Sequence, residues 1–451
     1  MFLEGQDTVL LGCSDLRYHV FILSESYRDC RMRLLFGALI IVAGLSSTSD
    51  PLRGEDWTRF RGPNGQGKSA ERGLPLRWSE ESNVAWKTRL PGQGWSSPIV
   101  SGDHIFVTTA TENGASCRVI GIDRTSGDIL WNTEAHRQVP GPKRAQNSYA
   151  TPTPVSDGAR VYAAFYDGTI VAVDFDGRLV WKNEDVDFHS LHGLGASPIL
   201  VGGLIVMPFD GSSRVDQRVG WKEPWDQAVL LAVDKETGNT KWRGERGLSR
   251  VGHVTPIVIE NERTVISAGG DRVQAHDIET GKRIWSVYSQ GEGVTPSPVT
   301  GEGLIFTSSG FEEPTIRAIR PGGRGDVTGS HIAWEQKRGV PALPSPLYVE
   351  PFLYTVTRDN ILHCIEAKTG DVVWLERLKG NYSASPLLAD GRIYITSEDG
   401  LTTVLESGTR YKVIAQNRLD GKTMASIAVS RGNFFIRTGD SLYCIGEQPT
   451  Q

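Results

Sequence analysis

Short segments of alternating apolar and polar residues recur along most of the chain, and turn-forming residues separate them. Residues 361–375 show the unit, with an alternating segment, a turn ending at Gly370 and a second segment that carries Trp374. Alternation with a period of two is typical of a strand with one buried face, and glycine in the turn accepts a positive φ. The pattern therefore predicts a protein built from consecutive antiparallel strand pairs.

The same spacing of glycine and tryptophan marks most of these units. Glycine stands four residues before tryptophan in five of them: Gly127/Trp131, Gly177/Trp181, Gly238/Trp242, Gly281/Trp285 and Gly370/Trp374. A further unit ends at Trp334 without the glycine. Self-similarity at a spacing of about 40 residues, with four strands per unit, is typical of a β-propeller.

The number of units predicts the number of blades. Seven full units cover residues 95–134, 150–184, 196–245, 254–288, 296–337, 344–378 and 384–418, each opening near a Ser/Thr-Pro pair or a close relative of it. An eighth unit, residues 424–446, has three strands, and the apolar segment 84–88 supplies the fourth. We therefore expect an all-β, eight-bladed β-propeller of four-stranded antiparallel blades, closed by an N-terminal strand that completes the last blade. Seven blades is the alternative if the last unit packs elsewhere.

The N-terminal part of the chain differs from the repeats. Met32 and Arg33 precede an apolar run at 34–45 and small residues at 46–49, which is the pattern of a secretory signal peptide over residues 32–49. Residues 1–31 are then an over-extended N-terminus or, alternatively, a cytoplasmic extension before a signal anchor. Residues 50–82 form a polar lead-in, 83–446 the propeller and 447–451 a tail. The expected location is periplasmic or secreted, with no membrane span after the signal is cleaved.

Charge and cysteine content narrow the class of partner. The chain has 48 basic and 53 acidic residues and a formal net charge of −5, so we expect no nucleic-acid partner. Cys364 and Cys444 occupy small-residue positions in different repeats, which predicts buried thiols rather than a disulfide. The expected protein is a monomer whose partner is an unidentified protein or small ligand.

One run of residues identifies the repeat more closely. Residues 232–242 follow the pattern small-x-Asp-x-x-Thr-Gly-x-x-x-Trp, and the other units keep parts of it. This run resembles the pyrroloquinoline-quinone-like (PQQ-like) repeat family, and the resemblance extends over residues 84–446. It implies that the repeat tryptophans dock neighbouring blades and do not bind a cofactor. These tryptophans are Trp131, Trp181, Trp242, Trp285, Trp334 and Trp374.

The PQQ-like family contains both enzymes and a scaffold, so the resemblance by itself does not choose a function. Its quinoprotein dehydrogenases carry an adjacent cysteine pair over the quinone, and no two cysteines are adjacent here. Its scaffold is a non-enzymatic periplasmic protein of outer-membrane protein assembly. We therefore expect a non-catalytic propeller, with no cofactor, that binds a protein or small ligand. The alternatives are a quinone-dependent oxidoreductase that uses PQQ with calcium, and a polysaccharide-binding surface protein.

Three long segments interrupt the first three repeats, at residues 136–149, 185–195 and 210–227. Strand alternation predicts that they share one face, and long loops in a compact repeat fold are more often functional than decorative. The candidate ligand contacts on this face and at the channel mouth are Trp95, Tyr149, His192, Trp221, Trp225, His253 and Tyr382. His189 and His192 have a spacing that suits a metal, but no third ligand stands near them, so no metal site is expected.

Overall fold

Strands make up almost all the regular secondary structure in the computed structural model, which describes residues 55–259 and 263–447. The predicted signal peptide at 32–49, residues 1–31 and the last residues of the tail lie outside the described residues. Helical structure within the described ranges consists of a 3-10 turn, Glu112–Gly114, and one α-helical turn, α1 (Thr328–His331). No helix in this part of the chain is long and apolar enough to span a membrane.

The strands form eight sheets, and each sheet is a blade with its first strand nearest the channel. The N-terminal strand, β1 (Val84–Arg89), belongs to the last blade. Blade 1 contains β2 (Ile99–Ser101), β3 (His104–Thr111), β4 (Ser116–Asp123) and β5 (Ile129–Arg137). Blade 2 contains β6 (Val155–Ser156), β7 (Arg160–Ala164), β8 (Ile170–Asp174) and β9 (Leu179–Asn183). Blade 3 contains β10 (Ile199–Val201), β11 (Leu204–Phe209), β12 (Val229–Asp234) and β13 (Thr240–Glu245).

The remaining blades repeat the same order. Blade 4 contains β14 (Ile257–Ile259), β15 (Thr264–Ala268), β16 (Arg272–Asp277) and β17 (Arg283–Tyr288). Blade 5 contains β18 (Val299–Gly301), β19 (Leu304–Ser308), β20 (Ile316–Ile319) and β22 (Ile332–Gln336), with a short strand β21 (Gly325–Asp326) between the last two. Blade 6 contains β23 (Leu347–Val349), β24 (Phe352–Val356), β25 (Ile361–Glu366) and β26 (Val372–Arg377). Blade 7 contains β27 (Leu387–Ala389), β28 (Arg392–Thr396), β29 (Leu401–Glu406) and β30 (Val413–Arg418), and blade 8 contains β31 (Ala428–Ser430), β32 (Asn433–Arg437) and β33 (Ser441–Ile445).

The N-terminal strand closes the ring as predicted. β1 pairs antiparallel with β33, and the order of the last blade is β1-β33-β32-β31. Blade 8 therefore has its outer strand from one end of the chain and its three inner strands from the other. The eight-bladed prediction is confirmed, and the seven-bladed alternative is wrong because the last unit forms a complete sheet.

Each repeat tryptophan stands opposite a small residue of the neighbouring strand in its own blade. Ala232 pairs with Trp242, and Cys364 pairs with Trp374, with a β-bulge directly after the small residue in both cases. Cys444 stands in the same way opposite Trp86 of β1. A larger side chain would occupy the space that the indole ring needs, so the two cysteines serve as small buried residues.

The tryptophans also join each blade to the next. The Trp131 ring lies against Gly177 of blade 2, where φ is 83° and an added Cβ would stand 2.7 Å from the ring. The Trp131 Nε1–H donates to the carbonyl of Phe175 at 2.7 Å. Equivalent contacts join Trp86 to Gly127, Trp181 to Gly238, Trp242 to Gly281 and Trp334 to Gly370. The glycine provides both the turn geometry and the flat surface on which the indole packs.

The junction between blades 4 and 5 departs from this pattern. Blade 5 lacks the turn glycine, and the chain instead inserts β21, which pairs in parallel with β17 and places Gly325 beside Trp285. Trp285 is only 1% exposed. The insertion therefore joins the two blades by strand pairing, and Gly325 does not pack on the indole as the turn glycines of the other junctions do.

The lead-in crosses the end of the channel where the first strands turn into the second. Trp57 pairs with Val100 of blade 1, and Lys68 bridges Leu388 of blade 7. Two buried arginines reach further across, since Arg59 donates to the carbonyl of Pro256 and Arg61 to that of Pro346. We call this end the lead-in end and the other end, where each first strand begins, the mouth.

Candidate functional site

A ring of eight hydroxyl side chains surrounds the channel just inside the mouth, one from each blade: Ser97, Thr153, Ser197, Thr255, Ser297, Ser345, Ser385 and Ser426. In seven of the eight steps around the ring, the backbone N–H of one member donates to the hydroxyl of the next at 2.9–3.0 Å. The bond from Ser426 back to Ser97 links the last blade to the first. These hydrogen bonds hold the innermost strands in register.

A cavity of about 590 Å³ opens above this ring at the mouth. Its wall contains the residue two positions before each ring hydroxyl, because alternate residues of an extended segment point to the same side. These wall residues are Trp95, Thr151, Gly195, His253, Thr295, Leu343, Ser383 and Met424. Phe60 of the lead-in also lines the cavity, so the lead-in contributes to its inner end.

The three long loops contact one another beside the cavity. The Asn147 side chain and the Arg144 backbone N–H both donate to the carbonyl of His192, which joins the first loop to the second. The Ser212 N–H donates to the carbonyl of His189 at 2.8 Å, and Arg214 forms an ion pair with Asp187, which joins the second loop to the third. The loops thus form one continuous surface, as their positions in the first three blades predict.

Cations around the mouth lie over aromatic rings. Arg144 stands 6.0 Å from the centre of the Trp221 ring, and Arg358 stands 5.6 Å from that of Phe311. Lys422 stands 5.8 Å from the ring of Trp95. Arg144, Arg358, Phe311 and Trp95 all line the cavity. A cation over an aromatic face keeps its charge available to a ligand while the ring fixes its position.

One carboxylate faces the same cavity. Burial raises the pKa of Glu292, while a hydrogen bond from Trp221 and the charge of Lys222 oppose that shift. Lys222 lies 4.0 Å from Glu292 and 3.5 Å from Glu312, and Arg250 joins Glu312 to Asp271. This network anchors the third loop to blades 4 and 5.

Two histidines of the mouth are held in the neutral state. Burial lowers the pKa of His192 to about 4, with the charges of Arg144 and Lys222 adding to the shift. Burial also lowers the pKa of His253 to about 3, and His192 contributes. The two imidazole rings lie edge to face with centroids 6.1 Å apart. Within the described residues, no group of three or more His, Cys, Asp or Glu side chains could hold a metal.

The structure brings together three of the seven predicted ligand contacts, Trp95, His192 and His253, at the cavity. Trp221 lies beside them, edge to face with His192. Tyr149 instead donates its hydroxyl to the carbonyl of Gly141, and Trp225 pairs with Ser249 at the base of the third loop.

Tyr382 lies outside the cavity, contrary to the expectation that it faces the mouth. It is 6% exposed, packs in the hydrophobic core of blades 6 and 7 and donates its hydroxyl to Lys379. It stands three residues before Ser385, an odd spacing that turns its side chain away from the wall. The wall residues that sequence reasoning missed stand two residues before a ring hydroxyl, so the Ser/Thr-Pro pairs were the signal that could have found all of them except Met424, whose Ser426 precedes Ile427.

The cavity does not fit a site for a quinone with calcium. Calcium takes about six to eight oxygen ligands, with carboxylates prominent among them. Glu292 is the one carboxylate among the described residues that line the cavity, and Trp221 and Lys222 already engage it.

Comparison with known proteins gives two kinds of relative. A family model described as outer membrane protein assembly factor BamB matches residues 76–229, 219–313 and 312–424. BamB of Nitrosomonas eutropha is 26% identical over 308 residues, which cover 64% of this chain and 66% of that protein, just under two thirds of its length. Methanol dehydrogenase subunit 1 of Methylobacterium organophilum is 25% identical over 147 residues, 30% of this chain and 23% of that protein. The crystal structure of BamB from Moraxella catarrhalis shares the fold, with a TM-score of 0.57 at 14% identity, over 80% of this chain and 99% of that chain.

Proposed function

The chain belongs to the family of outer membrane protein assembly factor BamB, and on that premise we propose that it is a non-catalytic propeller of the cell envelope that binds another protein. The binding surface is the loop-rich face around the mouth, formed by the three long loops and the cavity. The proposal also includes export of the chain, because the BamB relatives are named for outer-membrane protein assembly.

The observation that carries this proposal is the exposure of large apolar side chains on the loops. Val139 of the first loop is 87% exposed and Val215 of the third is 97% exposed. On the outer strands, the corresponding exposed residues reach only 57%, at Leu375. Apolar side chains held at the tips of mutually bonded loops are typical of a surface that another protein covers.

Charge at the mouth favours a partner with acidic groups. Arg144 and Arg358 face the cavity and lie over Trp221 and Phe311, rather than against carboxylates of the described residues. Aromatic and arginine side chains together are the composition of binding hot spots. We infer that a segment of the partner places an acidic side chain at the cavity.

Site-specific photocrosslinking in the native envelope tests this function. A photoreactive amino acid at Val139 or Val215 should capture the same protein, while the same group at Leu375 on β26 should not capture it. The control is also a large apolar side chain with more than half of its surface exposed, but it lies on an outer strand. Capture from Leu375 alone, or of different proteins from the two loop positions, would remove the loop-rich face as the binding surface.

A quinone-dependent oxidoreductase is the second candidate, favoured by the partial match to methanol dehydrogenase. Incubation of the purified protein with PQQ and calcium, followed by absorbance and dye-reduction measurements, separates the two. Retained quinone with alcohol-dependent dye reduction would replace the binding function with an enzymatic one. We expect neither, because the cavity offers one engaged carboxylate as a metal ligand.

A further inference from the structure

At the lead-in end, one residue of each innermost strand points its backbone N–H and C=O toward the channel. In seven of the eight blades the third residue after the ring hydroxyl is the middle one of three pairs with the second strand, and in blade 2 it is the second of two pairs. In an antiparallel hairpin, the N–H and C=O of such a residue point away from the paired strand. These axial positions are Val100, Ser156, Leu200, Val258, Thr300, Tyr348, Leu388 and Val429.

The lead-in uses four of the axial N–H groups. Val100 exchanges both of its backbone hydrogen bonds with Trp57 at 2.9 Å, and the Ser156 N–H donates to the next residue, Thr58, at 2.9 Å. Two consecutive residues of an extended segment thus serve two neighbouring blades. Leu388 donates to Gly67 and accepts from Ser69, and the Thr300 N–H donates to the Gln66 side chain.

The next two blades in the ring, blades 3 and 4, have no such cover among the described residues. Leu200 and Val258 instead line a groove of about 890 Å³ at the lead-in end. Its walls are the half-buried apolar side chains of the same first strands, with Asn64 of the lead-in at one side. The groove therefore continues the path that the lead-in follows over blades 1 and 2.

A buried arginine also lines this groove. Arg59 is 7% exposed, and its Nη2 donates to the carbonyl of Pro256 at 3.1 Å. Its Nε has no hydrogen-bond partner among the described residues. Burial lowers the pKa of Arg59 to about 10, which still leaves the guanidinium charged at neutral pH. An acceptor from a ligand would satisfy this donor, which is costly to leave buried and unpaired.

We propose that this groove binds an extended peptide segment of a partner protein by backbone pairing with Leu200 and Val258. Consecutive carbonyls of the segment accept from these two N–H groups, as those of Trp57 and Thr58 do on blades 1 and 2. An N–H of the segment donates to the carbonyl of Leu200 or Val258, as that of Trp57 does to Val100. Its apolar side chains pack on the first strands, and an acidic or amide side chain accepts from Arg59. Adding an extended segment to exposed strand edges is an established mode of peptide recognition.

Hydrogen exchange of the full chain tests the first half of the proposal. The axial positions allow a matched comparison within one molecule, because Val100 and Leu388 pair with the lead-in, whereas Leu200 and Val258 pair with nothing in residues 55–259 and 263–447. We expect the latter two amides to exchange at least about tenfold faster than the former two. Equal protection of all four in the free protein would show that the chain itself covers the groove, and would overturn the proposal.

A synthetic peptide tests the second half. Acetyl-Thr-Val-Asp-Val-Thr-Val-amide at millimolar concentration should slow exchange at Leu200 and Val258 at least about tenfold and leave Val100 unchanged. Two further copies of the peptide are N-methylated at alternate residues, one at the odd positions and the other at the even positions. Each copy keeps all its side chains and loses the backbone N–H donors along one edge. At least one of the two copies should therefore fail to slow the exchange. Equal protection by all three peptides would indicate apolar adhesion alone. No protection by the parent peptide would reject the site.

Discussion

The two ends of the channel are built by different kinds of contact. At the lead-in end, a short segment is buried and bonds through its backbone to the innermost strands of several blades. At the mouth, three loops bond mainly through side chains and leave large apolar residues in solvent. Backbone pairing covers part of the lead-in end because it needs mainly the strand geometry. The mouth keeps its side chains available for recognition.

Replacement of Trp57 at the lead-in end should give the largest loss of stability. Trp57 is 1% exposed and packs in a core cluster with Val100, so Trp57→Ala should lower the free energy of unfolding by about 3–5 kcal/mol. Trp221→Ala at the mouth is the control and should cost less than about 1 kcal/mol, because Trp221 lies half-buried in a loop, outside the strands. Denaturant unfolding followed by circular dichroism measures both. Equal losses would contradict the distinction between the two ends.

The hydroxyl ring lies between the two ends of the channel. Loss of one of its hydrogen bonds should lower the free energy of unfolding by less than Trp57→Ala does. Ser345→Ala removes the acceptor for the buried N–H of Ser297, which should cost about 1–3 kcal/mol of unfolding free energy. Ser345→Thr should keep the link, since Thr153 and Thr255 make it in other blades. The same denaturant series compares the two variants with the parent. A loss in the threonine variant as large as in the alanine variant would mean that the hydroxyl is not the cause.

Acid should weaken the mouth through its neutral histidines. The folded pKa of His253, about 3, lies below the unfolded value of about 6.5, so the unfolded state binds more protons. This contribution to stability is present above pH 6.5 and is lost as the pH falls toward 3. Between pH 6 and 4, the unfolding free energy of the parent should fall by up to about 1.4 kcal/mol per pH unit more steeply than that of His253→Asn. Parallel curves for the two proteins would rule out this assignment.

Changes at the loop tips should affect binding and leave stability unchanged. Val139→Asp combined with Val215→Asp should weaken capture of the crosslinked partner at least tenfold, which corresponds to about 1.4 kcal/mol. The melting temperature should stay within the range of surface substitutions, because both side chains are already in solvent. Leu375→Asp is the matched control and should change neither. Partner binding that survives the loop substitutions would contradict the loop tips as the binding surface and would favour the lead-in end.

The fold could be predicted from the sequence because the same residue pattern recurs along the chain at a similar spacing. A closed propeller explains three features of the sequence together. These are the glycine and tryptophan spacing, the recurrent small residue and the lone strand before the first repeat. The candidate site could be predicted only in part. Trp95 and His253 reach the cavity because they stand two residues before a ring hydroxyl, whereas Tyr382 stands three before and enters the core.

The lead-in shows most clearly what the sequence could not supply. Its composition is polar and rich in glycine, and nothing in it alternates, so it was expected only to precede the propeller. Its position in the fold is determined by hydrogen bonds to backbone groups of the first strands, some of which are hundreds of residues away in the sequence. Every residue type except proline carries the same backbone donor and acceptor, so a segment held by these groups leaves little trace in residue identity.

The sequence by itself determined the number of blades, the closure of the ring and the positions of the small buried residues in the repeats. Those features follow from local spacing and from side-chain size, which are both written in the chain. Only the tertiary structure decided which mouth residues share one cavity, that eight hydroxyls form a ring with seven hydrogen-bonded steps, and which end of the channel the lead-in covers. These depend on how distant strands converge on one axis, and that convergence exists only when the whole ring is closed.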